Sequence, residues 1–179
     1  MDAIGLYLFD TPIGRCGIGW TARGIASVQL PDRDDAHLLA RLRQRLPDAQ
    51  LAPPPASVRA AAERTQRLLE GERDDLRDVL LDMEGVAPFH QRVYVRARAI
   101  PPGRTITYGE LATDIGEPGA ARAVGQALGL NPFAPIVPCH RILAAASRSG
   151  GFSAPGGVDT KLKMLLIERA SFGEPGLFD

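Results

Sequence analysis

The run Val137-Pro138-Cys139-His140-Arg141 sets a thiol directly before an imidazole and a guanidinium. A thiol attacks only as the thiolate, and its ordinary pKa is about 8.5, so it needs a base or positive surroundings. An imidazole that is itself oriented by a carboxylate is a common source of that base. Neighbouring side chains in regular structure diverge, so Cys139 and His140 require a turn or a bridging water to communicate. The approach to the thiol, residues 131–138, carries three prolines in eight positions. Such a segment is stiff and fixes the direction in which the chain enters Cys139. A lone cysteine is more often a small buried hydrophobe. Cys16, in an apolar strand-like run, is read that way; the Pro-Cys-His-Arg setting makes Cys139 a reactive nucleophile instead.

Composition narrows the surroundings of that thiol. The chain has 179 residues, 45% of them hydrophobic, with a formal net charge of zero, as expected of a globular protein with a real core. Two cysteines make no disulfide framework, and there is no Cys-x-x-Cys. With only His37, His90 and His140 as histidine ligands, neither a metal site nor a cofactor is expected. No apolar run approaches the roughly 20 residues needed to span a bilayer, and the start lacks the pattern of a secretory signal, so a cytoplasmic protein is expected. The zero charge conceals an asymmetry. Residues 1–86 hold 11 arginines against 14 acidic residues, whereas 87–163 hold nine basic residues against four acidic ones. A basic segment suits a polyanionic partner; an ordinary solvated surface explains it equally well.

Two halves of the chain are available to position the thiol. In 1–86, Leu6-Tyr7-Leu8-Phe9, 16–20 and 25–30 alternate with turn residues and predict an antiparallel meander. A helix capped by Asp34 or Asp35 and stopped by Pro47 comes next, then a Pro53-Pro54-Pro55 linker and a second helix over 57–70 ending at Gly71. Val79-Leu80-Leu81 reads as a further strand. No residue set there has catalytic spacing, so this half reads as scaffold. In 87–179, Phe89, Val93, Ala97 and Ile100 recur at helical spacing up to Pro101-Pro102-Gly103. Thr107 with Glu110 forms a capping-box pattern at the start of a short helix. Gly116-Glu117-Pro118-Gly119 then leads into another helix, the outline of a helix-turn-helix.

That second helix, 120–129, is almost entirely small around one long cation, Arg122. Glycine within a helix costs about 1 kcal/mol relative to alanine, so Gly125 implies close approach of something to the backbone. A DNA groove probed by Arg122 and tight helix–helix packing both answer to that description.

Taken in order, Ile100-Pro101-x-Gly103-x-Thr105-x-x-Tyr108-Gly109-x-Leu111-Ala112, Ala121-Arg122-Ala123-Val124-Gly125, Asn131-Pro132, Ile136 to Arg141, and Gly156-Gly157 with Lys161 and Leu165-Leu166-x-Glu168 resemble the catalytic domain of the O6-alkylguanine-DNA alkyltransferases, also called methylated-DNA–cysteine S-methyltransferases. The resemblance covers nearly half of the chain. It implies an α+β fold: an N-terminal ribonuclease-H-like sheet-and-helix domain over 1–86, then a mainly helical, winged-helix-like domain with a helix-turn-helix over 87–179. It further implies a monomer that acts on double-stranded DNA carrying O6-alkylguanine, with O4-alkylthymine as a second lesion. The alkyl group passes irreversibly to Cys139, with His140 deprotonating the thiol through a water and Glu168 orienting the imidazole. Asn131 braces the active-site turn, and Tyr108 helps to rotate the nucleotide and protonates or hydrogen-bonds the guanine leaving group. Arg122 fills the gap left by the flipped base, while Thr107, Ala120, Ala121, Ala123 and Gly125 lie against the duplex. Leu128, Ile142, Phe152 and Ser153 line the base pocket.

The physics of the lesion agrees with these roles. Guanine O6 lies within the stack, so chemistry on it demands base flipping, which costs least for a badly paired base. A thioether product cannot be cleaved by any group in the chain, so one reaction per molecule is expected. The sequence departs from the family at Phe152, where tyrosine is frequent, and over 150–157, which is longer than in compact relatives. Two other classes compete. A non-catalytic lesion sensor has no use for Cys139, and a Cys–His hydrolase needs an oxyanion-hole motif that is not evident.

Overall fold

A computed structural model describes residues 4–144 and 157–170, with the side chain of Val158 excepted. It is mixed α+β, with two small sheets and six α-helices among the described residues. Strands β1 (Gly5–Thr11), β2 (Gly14–Thr21) and β3 (Gly24–Gln29) form the expected antiparallel meander. Strand alternation sends Cys16, Ile18 and Trp20 to the main core. Leu6 and Ala26 face a smaller cluster shared with Leu42 and Leu46.

Helix α1 (Asp35–Leu42) covers that second face, its start capped by Asp34, whose side chain accepts from the His37 amide at 2.9 Å. Two strand glycines let it close: a Cβ on Gly17 would lie 2.6 Å from Leu42 Cδ1, and one on Gly19 would lie 2.6 Å from Leu46 Cδ1. Helix α1 ends five residues before Pro47, because the chain turns at Arg43 and still buries Leu46 outside the helix. Helix α2 (Ala56–Leu69) packs on the other side of the sheet. The strand expected at Val79-Leu80-Leu81 is only a single parallel bridge between Ile25 and Leu81. Leu80 is 70% exposed; Ile25 N donates to Leu80 O and Asp82 N to Ile25 O, but the next carbonyl, Asp82 O, accepts from Arg45 Nη2 and the ladder goes no further.

The remaining elements are α3 (Pro88–Arg98), β4 (Ile106–Thr107), α4 (Tyr108–Asp114), α5 (Ala121–Gly129), β5 (Ile142–Leu143) and α6 (Gly157–Ile167). Thr107 forms the full capping box with Glu110, each amide bonded to the other's side chain at 3.1 Å. Gly116 and Gly119 both have positive φ in the tight turn between α4 and α5. Strands β4 and β5 pair in parallel through Ile106–Ile142 and Thr107–Leu143. The main core runs without interruption from Ile18 and Trp20 of the meander to Val93, Val124 and Cys139. One backbone bond crosses directly to the segment before the thiol: Val28 N donates to Pro132 O at 2.8 Å.

Candidate active site

Cys139 begins a 3₁₀ turn, Cys139–Arg141, entered from Pro138 and left through β5. The turn resolves the problem of adjacent side chains. It lets the imidazole and the guanidinium converge on one neighbour, Glu168, with the thiol, imidazole and guanidinium residues all buried at exposures of 6%, 0% and 2%. Asn131 braces the approach: its Nδ2 donates to Val137 O at 2.8 Å, and its Oδ1 accepts from the Phe133 amide at 2.9 Å. The same side chain favours the ionised form of the thiol. The peptide between Ala134 and Pro135 in this loop is cis.

Glu168, just beyond α6, is the hub. Its Oε2 meets His140 Nε2 at 2.9 Å and accepts from Arg141 Nη2 at 2.7 Å, while its Oε1 accepts from Arg141 Nε at 2.9 Å. Arg141 spends a further donor on Ile100 O at 2.7 Å. Burial alone would raise the Glu168 carboxyl; the hydrogen bond with His140 and the charge and hydrogen bonds of Arg141 outweigh it and hold the group well below the usual carboxylate range. For His140 burial wins, and it depresses the imidazole despite the pull of Glu168. His140 is therefore neutral at pH 7. With its Nε2–H given to Glu168, the lone pair sits on Nδ1, a buried atom with no hydrogen-bond partner among the described residues. The bidentate Arg141 supplies the positive charge that keeps Glu168 ionised while the imidazole stays neutral.

Burial also pushes the Cys139 thiol up, opposed by Asn131 and by the charge of Lys161. The group rests as a thiol and needs a base. Lys161, carried by α6 and fully buried, donates to Ile142 O at 2.8 Å and lies 5.8 Å from the centre of the Tyr108 ring. Its burial lowers the ammonium to about 8, against the attraction of Cys139. Tyr108 is raised by burial and then by the Cys139 charge, which places it beside the thiol.

The structure thus gathers Cys139, His140, Glu168, Asn131 and Tyr108 around one centre. Leu128 and Ile142 are buried in the core cluster that contains Cys139; Phe152 and Ser153 lie outside the described residues. On α5, Arg122 is exposed and Ala121, Ala123 and Gly125 are half-buried, with Ala120 capping the helix and Thr107 capping α4. A Cβ added to Gly125 or Gly129 would meet nothing within 4 Å, so among the described residues no packed helix explains these glycines. In sequence, Arg141 and Lys161 have a place within the motifs but no role. An arginine or lysine reads as surface by default; the available signal was their place beside Cys139 and Glu168 in the ordered motif set.

Comparison with known proteins agrees with this geometry. The family model described as 6-O-methylguanine DNA methyltransferase, DNA binding domain, matches residues 88–170. The methylated-DNA–protein-cysteine methyltransferase of Mycobacterium tuberculosis is 42% identical over 118 residues, covering 66% of this chain and 69% of that protein. The chain belongs to the 6-O-methylguanine DNA methyltransferase family. The bifunctional transcriptional activator/DNA repair enzyme Ada of Escherichia coli is 36% identical over 166 residues; the match takes in 93% of this chain but only 46% of Ada. Among solved structures, that of Mycobacterium tuberculosis OGT in complex with DNA superposes with a TM-score of 0.71 at 33% identity, covering 92% of each chain.

Within this family site the carboxylate has two clients, which changes what its removal does. Glu168→Gln strands the buried Arg141 charge and is expected to destabilise the fold by about 3–5 kcal/mol. The double variant Glu168→Gln/Arg141→Met should recover much of that loss in urea unfolding. Equal stability of wild type and Glu168→Gln would show that the pair is not buried as described.

Proposed function

We propose that the chain repairs DNA by direct reversal, moving the alkyl group of O6-alkylguanine irreversibly onto Cys139. The observation that carries this reading is the unpartnered Nδ1 of a neutral, Glu168-anchored His140 next to a buried thiol on the same turn. The Cys139 proton passes through a water to Nδ1. The thiolate attacks the alkyl carbon, a C–S bond forms, and the C–O bond breaks with its electron pair leaving on the guanine. Tyr108 protonates the departing base, and the positive Lys161 and the Asn131 amide favour the thiolate form. The product is a thioether and an intact guanine. No group around Cys139 reverses a thioether, so the protein is consumed.

Delivery of the base is assigned to α5. Exposed Arg122 enters the duplex and fills the space of the flipped nucleotide. Thr107, Ala120, Ala121, Ala123 and Gly125 allow the backbone to approach the groove closely, and the binding is independent of sequence because few long polar side chains face the bases. Leu128, Ile142, Phe152 and Ser153 form the pocket. In this reading residues 1–86 are a ribonuclease-H-like scaffold domain, and 87–179 a winged-helix-like domain bearing the helix-turn-helix. The protein works as a monomer on double-stranded DNA in the cytoplasm; no helix among the described residues is long and apolar enough to cross a membrane.

Two measurements test these assignments. With excess O6-methylguanine duplex, repaired guanine should plateau at one equivalent per protein molecule, and continued turnover would refute the consumed acceptor. Gly125→Ala removes a helix glycine from open space, so the free protein should gain up to about 1 kcal/mol in thermal or urea unfolding. If α5 lies against DNA, the same variant loses duplex affinity by fluorescence anisotropy; tighter or unchanged binding would remove α5 from the interface.

A further inference from the structure

The loop that carries Asn131 to Cys139 is held from below by the N-terminal half. Phe133, fully buried, is its anchor. Its ring stands edge-on to Tyr94, with centroids 6.2 Å apart and an interplanar angle of 82°. On its other contact the Arg45 guanidinium lies 5.5 Å from the ring centroid. Arg45 is itself fixed by three carbonyls that belong to no part of the active site: Nε donates to Ala26 O at 2.6 Å, and Nη2 donates to Asp82 O at 2.9 Å and Glu84 O at 3.3 Å. Carbonyl partners orient a cation without neutralising it. From Phe133 the path to the nucleophile is short. The Phe133 amide donates to Asn131 Oδ1, Asn131 Nδ2 donates to Val137 O, and the Asn131 side chain favours the ionised form of the thiol.

We propose that Arg45 is a positioning residue for alkyl transfer: seated on the Ala26, Asp82 and Glu84 carbonyls, it holds the Phe133 ring and so keeps the Asn131 amide aimed at Cys139. This rests on reading Cys139 as the nucleophile. The contacts of Arg45 are with three carbonyls and the Phe133 ring, not with Cys139, His140 or Glu168. Among the described residues, the titratable groups that interact with Cys139 are Tyr94 from α3, Tyr108 from α4 and Lys161 from α6, while His140 and Arg141 of its own turn are held by Glu168 beyond α6. Tyr94 senses both ends of the path: burial first and then the Cys139 charge push it up to about 12, with Arg45 opposing the rise.

The test is the pH–rate profile for alkylation of Cys139 by iodoacetamide, read by peptide mapping on the full chain. Arg45→Met keeps the apolar stem and loses the cation. Its profile should move up by about one pH unit, which makes reaction at pH 7 roughly tenfold slower, while the rate at the alkaline plateau is kept. Arg45→Lys, which retains a cation over the ring, should recover most of the rate. Phe133→Leu should give the same displacement, and the double variant no more than either single one. A wild-type profile in folded Arg45→Met, or displacements that add, overturns the proposal. Should Arg45→Met not fold, Phe133→Leu decides, and a wild-type profile there overturns it. A wild-type protein whose Cys139 does not react at any pH refutes the nucleophile itself and not the role of Arg45.

Discussion

The Glu168 carboxylate, closed between Arg141 and His140 inside the core, is the constraint on which the rest of the site depends. A buried carboxylate is costly unless it is paired, and a buried arginine equally so. Each is tolerated because it completes the other. Once Arg141 supplies the permanent charge, His140 can remain neutral and still be oriented, leaving Nδ1 as its free basic atom. A two-member His–Glu pair would tend to draw a proton onto the imidazole. The third member separates orientation from protonation, which suits a thiol that burial keeps protonated until a base is needed.

The architecture results from assembling that network out of distant pieces. The loop over 131–138 and its turn bring the thiol and imidazole; α6 brings Lys161 and, just beyond its end, Glu168; Ile100, two residues past the end of α3, supplies a carbonyl for Arg141. The meander contributes no reacting group, yet it touches the loop through Val28 and Pro132. Its core merges with that of the later helices. Scaffold and site are therefore mechanically one body around Phe133. On the outside, α5 keeps its glycines uncovered, so the helix offers backbone to an external surface while its buried face, Val124 and Ala127, ties it to the core.

Much of this was legible in the sequence wherever a residue type has a local physical consequence. Alternation and turn glycines announced the meander, Thr107 and Glu110 announced the cap of α4, and the adjacent Cys139 and His140 called for the turn that carries them. What failed depended on tertiary partners. Val79-Leu80-Leu81 has strand composition, but its pairing stops at Ile25, because the next carbonyl, Asp82 O, is taken by Arg45. The first helix stops at Leu42 although Leu46 continues its apolar stripe, because burial of Leu46 does not require helix. Arg141 and Lys161 carried no sign of burial, since the carboxylate and carbonyls that compensate them arrive from 27 and 19 residues away in the chain. The glycine of α5 left two explanations open in sequence. The open space above Gly125 favours an external partner over a packed helix.

The central claim, that Cys139 is the terminal acceptor of an alkyl group from DNA, is tested most directly by intact mass and peptide mapping. The protein is incubated with an equimolar duplex bearing one O6-methylguanine. The protein should gain a single methyl group, located on Cys139, with Cys16 unmodified and the guanine restored. An unchanged mass in protein that binds the duplex, or a methyl group mapped to any other residue, would contradict it.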